Sequence, residues 1–208
     1  MGEHKMKLLG LSGGLSQQTI IAIEKALDFA YQYDNSISIE ALNISEYNVQ
    51  YCDGRDPAKY EGDAKLVIDK ITEADALLIG TPMYRGSYTG MLKNVFDIIP
   101  NDALLGKPVG LIATGGSDHH YLALEQELRP LLSFFYAFGI PGCVYASNEH
   151  YSERDLVSKD ILDRLNQLAR SVVNLSRILP SDKTDIIGPM GPTMYKQKRS
   201  APRLSVIR

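Results

Sequence analysis

Hydroxyl and amide side chains are concentrated in one short segment, GLSGGLSQQT, at residues 10–19. An apolar run precedes it and a helical pattern follows it, so it joins a strand to the first turn of a helix. Unpaired backbone N–H groups and the helix dipole both favour an anion at such a point. The side chains that would help to hold a phosphate there are those of Ser12, Ser16, Gln18 and Thr19. A serine-rich helix cap that binds nothing is the simpler alternative.

A second segment, GTPMYRGSYTG at residues 80–90, places two tyrosines and an arginine in a turn. Turns usually favour small polar residues and proline, so these side chains indicate that something large and flat is held there. The candidate contact residues are Pro82, Met83, Tyr84, Arg85, Gly86 and Ser87. Tyrosines that cap the core, and an arginine that is simply exposed, are the alternatives.

A third segment, ATGGSDHHY at residues 113–121, leaves the backbone bare at two adjacent glycines. The candidate ligand contacts in it are Thr114, Gly115, Gly116 and Ser117. Ser117 or Asp118 can instead cap the next helix. The adjacent His119 and His120 do not share a helix face, and no cysteine or carboxylate pattern completes a metal site, so we expect no metal.

The elements that must position these segments alternate along the chain, as in an α/β protein with a parallel sheet. The predicted strands are Lys7–Leu11, Ser38–Leu42, Ala76–Gly80, Pro108–Ala113 and Gly142–Ala146. The predicted helices are Ser16–Tyr33, Ala58–Ala74, Tyr88–Ile99, Tyr121–Phe138 and Ser152–Leu179. Right-handed crossovers place helices on both faces of the sheet and give a three-layer sandwich. Because ligands bind outside the carboxyl ends of parallel strands, the three segments should converge there.

Composition narrows the possible functions. A chain of 208 residues with 44% hydrophobic residues fits one domain, which we assign to residues 1–180, and a net charge of −3 disfavours nucleic-acid binding. The phosphate segment has neither a Walker lysine nor a GxGxxG pattern, which disfavours ATP and a Rossmann-bound dinucleotide. With two isolated cysteines, no secretory signal and no apolar run of about 20 residues, we expect a soluble, cytoplasmic protein.

Residues 181–208 differ from the body of the chain. They carry six Lys or Arg and two Asp, net +4, which leaves −7 for residues 1–180. Their prolines, glycines and lack of a regular period predict an extended arm. The arm is either a frayed terminus or docks on a neighbouring subunit through Ile186, Ile187, Met190, Met194 and Tyr195.

The three segments resemble those of the NADPH-dependent FMN reductase family, most closely the flavin reductase components of two-component monooxygenases such as the alkanesulfonate system. The resemblance covers most of residues 6–180 and rests mainly on GTPMYRGSYTGMLKN and GKPVGLIATGGSDHHYLALEQELRPLL. It implies a flavodoxin-like fold with a five-stranded sheet in the order 2-1-3-4-5. It also implies that residues 10–19 hold the FMN phosphate and that the other two segments hold the isoalloxazine ring.

The activity that the resemblance implies is hydride transfer from NADPH or NADH to FMN, achieved by positioning the two rings rather than by a nucleophile. Arg85 would neutralise the reduced flavin or contact a nicotinamide phosphate, and Asp118 and His119 would border the nicotinamide. Tyr88 would begin the helix after the second segment, in a π-helical turn at an oligomer interface, in a homodimer or homotetramer. Many relatives carry an arginine in the phosphate segment where this chain has Leu15, Gln17 and Gln18.

Two other functions fit the same segments. A quinone or azo-compound reductase would keep FMN as a bound prosthetic group and pass electrons to an aromatic acceptor. A flavodoxin-like electron carrier would bind FMN without nicotinamide activity, but such carriers tend to be smaller and strongly acidic. A flavin reductase that supplies reduced FMN to a partner monooxygenase is the function we favour.

Overall fold

One parallel sheet forms the middle layer of the protein, which the computed structural model describes for residues 5–117, 122–180 and 182–190. Its strands are β1 (Lys7–Ser12), β2 (Ser38–Asn43), β3 (Ala76–Pro82), β4 (Pro108–Gly115), β5 (Phe138–Gly139) and β6 (Val144–Ser147). The order is β2-β1-β3-β4-β5, with β6 also paired to β4, and every pair in the sheet is parallel. The flavodoxin-like strand order that the family resemblance implies is confirmed.

Helices cover both faces of the sheet. They are α1 (Gln17–Tyr33), α2 (Gly62–Glu73), α3 (Gly90–Ile98), α4 (Arg129–Phe134) and α5 (Lys159–Ile178). Single 3₁₀ turns lie at Ile44–Glu46, Pro57–Lys59, Asn148–His150 and Thr184–Ile186, and a π-helix at Leu124–Leu128 precedes α4. A short antiparallel hairpin joins β7 (Tyr151–Ser152) to β8 (Asp155–Leu156).

Two hydrophobic cores result, one on each face of the sheet. Along β3, Leu77 and Ile79 pack into the core under α2, α3 and α4, while Ala76 and Leu78 pack into the core under α1 and α5. This alternation follows from the two-residue period of a strand. All seven residues of β3 are buried, as expected for a central strand covered on both faces. The predicted three-layer sandwich is therefore confirmed.

Several predicted boundaries are wrong, and local backbone geometry explains two of them. The predicted helix Tyr121–Phe138 is a π-helix followed by the short α4, which ends before Tyr136 takes a positive φ of 55°. The chain then forms β5, so two strand segments share the sheet edge for which the sequence predicts one. The start of the predicted helix Ser152–Leu179 is instead the β7–β8 hairpin, whose turn holds Glu153 at φ 54°.

The other helices and strands differ from prediction only at their ends. α2 begins at Gly62 rather than Ala58, because a separate 3₁₀ turn comes first, and α3 begins at Gly90 rather than Tyr88, because Thr89 caps it. β4 continues two residues beyond Ala113. β6 begins at Val144 rather than Gly142.

The described part of the arm, residues 182–190, lies against its own chain. The Lys183 side chain occupies the space beside Gly106, where a Cβ would overlap it. The Tyr136 hydroxyl donates to the Pro189 carbonyl at 3.4 Å. Gly106 and Tyr136 precede β4 and β5, so these contacts lie at the amino ends of the strands. Met194 and Tyr195, predicted to dock on a neighbour, lie outside the described residues.

No helix within the described ranges is long and apolar enough to cross a membrane.

Candidate active site

The first predicted segment turns sharply from β1 into α1. Ser12 is the last residue of β1, and its Oγ is buried without a hydrogen-bond partner among the described residues. Ser16 is the N-cap of α1, and its Oγ accepts a hydrogen bond from the Thr19 backbone N–H at 3.4 Å. Because buried polar atoms in folded proteins are nearly always paired, the unpaired Ser12 hydroxyl indicates a ligand at this helix N-terminus.

The two remaining residues of this segment make contacts within the protein. Thr19 is fully buried, and its hydroxyl shares a hydrogen bond of 2.6 Å with the Thr114 hydroxyl of the third segment. Gln18 is half-buried, and its carbonyl accepts a hydrogen bond from the Tyr151 hydroxyl at 3.0 Å. Burial raises the pKa of the Tyr151 phenol, so the donor remains protonated. The start of α1 is thus held from two sides.

The second segment forms a tight turn at the end of β3. Tyr84 and Ser87 exchange backbone hydrogen bonds of 2.9 and 3.2 Å, and the two residues between them, Arg85 and Gly86, have φ of 55° and 81°. Positive φ at both central positions is the type I′ geometry, in which a non-glycine residue such as Arg85 is uncommon. The turn projects Tyr84 outward with 57% of its surface exposed, which makes its ring available for stacking.

Thr89 fastens the second segment to the first. Its side chain accepts a hydrogen bond from the Leu92 N–H as the N-cap of α3, and it donates to the Gly13 carbonyl. The Gly13 N–H in turn donates to the Gly80 carbonyl at 2.7 Å. Gly14 lies so close to Pro82 and Thr89 that an added Cβ would be 3.0 Å from the first and 3.2 Å from the second, closer than an ordinary van der Waals contact. The first two loops therefore form one packed unit.

The third segment completes the same edge of the sheet. Met83 N–H donates to the Thr114 carbonyl at 2.7 Å, which ties the second and third segments together beyond the paired β3 and β4. Thr114 is buried and Gly115 half-buried, whereas Gly116 and Ser117 are exposed. The Tyr145 hydroxyl of β6 donates to the Ser117 carbonyl at 2.6 Å. Asp118, His119 and His120 lie outside the described residues.

All three segments therefore meet at the carboxyl ends of β1, β3 and β4, where the topology of an open parallel sheet places ligand sites. The ligand-facing groups that they offer are hydroxyls, backbone N–H groups, a tyrosine ring and an arginine. Ser12 at a helix N-terminus fits a phosphate, and the exposed Tyr84 ring together with the bare backbone of Gly115 and Gly116 fits a planar ring. The residues present therefore fit FMN.

Tyr88 does not begin α3, as the family resemblance implied, but lies two residues before it. Its side chain is half-buried against the core, and this burial raises the pKa of its phenol. Among the described residues, a π-helix is found instead at Leu124–Leu128, after the third segment. Ser87 Oγ donates to Glu127 Oε2 of that π-helix at 3.4 Å, so the two regions are neighbours.

Sequence reasoning missed two residues that shape the site. Thr89 has a usable signal, because a threonine directly before a helical pattern is a preferred N-cap, although the predicted helix Tyr88–Ile99 includes it. Tyr145 had none, since an aromatic residue inside a strand pattern is ordinarily part of the core.

Comparison with known proteins identifies relatives of this chain. An NAD(P)H-dependent FAD/FMN reductase of Geobacillus thermodenitrificans is 43% identical over 178 residues, which are 85% of this chain and 96% of the relative. The FMN reductase (NADPH) of Pseudomonas aeruginosa is 36% identical over 172 residues, 81% of this chain and 91% of the relative.

A solved structure and a family profile also match flavin reductases. The apo form of an NADH:FMN oxidoreductase, EMOB, matches with a TM-score of 0.68 and 27% identity, covering 86% of this chain and 92% of that chain. The profile of the family described as NADPH-dependent FMN reductase matches residues 6–151, well over half of the chain. This chain belongs to the NADPH-dependent FMN reductase family.

Proposed function

We propose that this protein is an NAD(P)H-dependent FMN reductase whose active site is the edge formed by residues 12–19, 82–87 and 114–117. The buried, unpaired hydroxyl of Ser12 is the observation that carries this proposal, because it lies where the flavin phosphate would complete its hydrogen bonding. When bound, FMN supplies the atom that accepts the hydride from the nicotinamide.

The chain's own residues bind and orient the reactants. Ser12, Ser16 and the first N–H groups of α1 hold the phosphate, with Gln18 beside them. Thr19 supports this loop from within through Thr114. No protein nucleophile is required, since the rate enhancement comes from fixing two rings in contact and excluding other orientations.

The second and third segments hold the flavin ring. Their contact residues are Pro82, Met83, Tyr84, Arg85, Gly86, Ser87, Thr114, Gly115, Gly116 and Ser117. With FMN bound, backbone N–H groups at the glycines would face the ring and stabilise negative charge there, and the exposed Tyr84 ring would pack against one of the two reactants. Arg85, held at the tip of the type I′ turn, adds positive charge beside the site.

The reduced flavin is proposed to leave the enzyme and serve a partner monooxygenase in the cytoplasm. The resemblance to two-component systems supports this proposal, and the free thiols of Cys52 and Cys143 suit a reducing compartment. The relatives described above include both NADPH- and NADH-dependent enzymes by name, so both donors belong in the first assay.

The deciding experiment is steady-state oxidation of NADPH and NADH by purified protein, with and without added FMN, after its visible spectrum is recorded. We expect a nearly colourless protein whose activity depends on added FMN. A yellow protein that retains its flavin, reduces quinones or azo compounds and does not respond to added FMN would instead be a quinone or azo-compound reductase. Flavin binding without nicotinamide oxidation would indicate a flavodoxin-like electron carrier.

We further propose that the active form is a homodimer or homotetramer with Tyr88 at the interface. The neighbouring segment supports this, because Leu122 and Phe134, on either side of the π-helix, are 47% and 52% exposed in the single chain. Tyr88→Ala should weaken assembly about tenfold or more, whereas Tyr88→Phe should keep the ring and the oligomer. Light scattering over a dilution series measures both, and an unchanged mass for Tyr88→Ala would remove this role.

A further inference from the structure

Tyr145 lies beneath the third segment of the active site. It is the second residue of β6 and pairs in register with Ala113 of β4. Only 5% of its surface is exposed, and its ring belongs to the core under α2, α3 and α4. From this buried position its hydroxyl donates to the Ser117 carbonyl at 2.6 Å, near the short end of the range for O–H···O hydrogen bonds. A buried side chain thus holds an exposed loop.

Gly115, which has no side chain, leaves the space that the Tyr145 phenol occupies. A Cβ added at Gly115 would overlap the Tyr145 hydroxyl oxygen and would lie 3.1 Å from the ring carbon that bears it. Any larger residue at 115 would therefore displace either the loop or the phenol. The bare backbone at this position is thus explained by the protein's own packing as well as by the approach of a ligand.

Hydrogen bonds hold both ends of this loop. At its start, Thr114 is fixed by the hydrogen bonds to Met83 N–H and to the Thr19 hydroxyl. Gly115, the last residue of β4, pairs with Ser147 of β6, and Gly116 after it restricts the backbone less than any other residue type. At Ser117, the described end of the loop, the Tyr145 hydroxyl bond from β6 adds to the other contacts of that residue. Without this bond, part of the entropy cost of ordering the loop would fall on ligand binding and lower the affinity.

We propose that Tyr145 is a positioning residue that preorganises the flavin-ring loop 114–117 through its hydrogen bond to Ser117. The inference rests on the proposed function, since it assigns the same loop to the flavin ring. Tyr145 acts through the backbone of Ser117 and does not itself touch the flavin. Tyr145 therefore raises the affinity for FMN and does not change the rate of the hydride transfer that follows.

Tyr145→Phe tests this role with the ring retained. FMN affinity, measured by the change in flavin fluorescence on titration, should fall about five- to tenfold, the effect expected for one neutral hydrogen bond. The KM for FMN should rise to the same extent while kcat at saturating FMN is unchanged. In the ligand-free protein, the backbone amides of residues 115–117 should exchange with deuterium faster than in the wild type.

Tyr136→Phe is the matched control. It also removes a phenol that donates to a backbone carbonyl, that of Pro189, but at the amino ends of the strands. It should leave FMN affinity and the exchange of residues 115–117 unchanged. If both variants weaken FMN binding equally, or if Tyr145→Phe changes neither affinity nor exchange, the proposal is wrong.

A double-mutant cycle separates positioning from general loss of structure. Gly115→Ala should weaken FMN binding strongly in the wild type, because its methyl group meets the phenol oxygen, and less in the Tyr145→Phe background, where that oxygen is gone. Purely additive effects would contradict the pairing of Gly115 with Tyr145. The exchange measurement needs no flavin, so a wild type that fails to reduce FMN would overturn the proposed function and leave this inference to be decided by exchange alone.

Discussion

At the scale of single residues, the Ser12 hydroxyl makes the sharpest distinction between a binding loop and a mere helix cap. A buried hydroxyl without a partner destabilises the folded chain, and Ser12 carries one in the described structure. A ligand bound at this helix N-terminus would supply the missing bond. The neighbouring Ser16 hydroxyl, by contrast, is already used in capping α1.

Ser12→Ala should therefore separate binding from stability. We expect FMN affinity to fall about tenfold, as for a hydrogen bond to a charged group, while the urea-unfolding free energy of the ligand-free protein stays constant or rises. Ser38→Ala is the control, because the Ser38 hydroxyl already donates to the Met6 carbonyl at the far end of the sheet. Loss of stability with unchanged FMN affinity in Ser12→Ala would favour the cap that binds nothing.

At the scale of elements, the sequence predicts the sheet well because each central strand is a continuous apolar run between loops of glycine and polar residues. Strands such as β3, buried on both faces, leave little ambiguity. The edge of the sheet is less predictable. The apolar run LLSFFYAFGI fits a helix by composition, yet it is divided by the positive φ of Tyr136 into a short α4 and β5.

The candidate site shows the same division between local and distant signals. Glycines, hydroxyls and tyrosines at strand ends mark all three segments from the sequence, because turn chemistry is local. The bonds that join the segments link residues far apart, as with Thr19 and Thr114, 95 positions apart in the chain. No local pattern predicts such a pair, so the network that includes Thr89 and Tyr145 becomes visible only in the folded structure.

The carboxyl end of α2 gives a prediction about pH. The Lys107 ammonium donates to the Ile71 and Thr72 carbonyls at 3.1 and 2.6 Å, where the helix has unpaired acceptors. Burial lowers the pKa of Lys107 from 10.5 to about 8, with Lys183 also lowering it and Asp75 and Asp102 opposing the shift. Between these two pH values the unfolded chain holds a proton that the folded chain lacks.

Stability carried by this lysine should therefore increase as the pH rises from 8 to 10.5, and stay flat below about pH 8, where both states are protonated. The gain should be on the order of 2 kcal/mol after allowance for partial exposure. Urea unfolding of the wild type, Lys107→Met and Lys107→Arg across this range measures it. Neither variant titrates at 107, so the wild type should gain stability relative to both. Parallel pH profiles would contradict the lowered pKa.

At the scale of the whole molecule, the two ends of the sheet have different tasks. The carboxyl ends of the strands carry the loops of the proposed active site, while the described part of the arm contacts residues at the amino ends. The arm also concentrates positive charge, since removing residues 181–208 would change the net charge from −3 to −7. The proposed division into a catalytic body at 1–180 and a separate arm follows from this arrangement.

A chain that ends at Pro180 tests that division. We expect kcat and the KM for FMN to be unchanged, because the described contacts of the arm, at Gly106 and Tyr136, lie at the opposite end of the sheet from Ser12 and Tyr84. The urea-unfolding free energy should fall by about 1–2 kcal/mol, since the cover over Gly106 and the bond from Tyr136 are both lost.

Tyr136→Phe in the full chain isolates the hydrogen bond and should account for no more than about 1 kcal/mol of that loss. Light scattering of the shortened protein completes the experiment. If shortening dissociates the oligomer or abolishes FMN reduction, the arm acts on a neighbouring subunit and is part of the working enzyme. If mass and kinetics are retained, the arm stabilises its own chain at the amino ends of the strands, and the body alone is sufficient for catalysis.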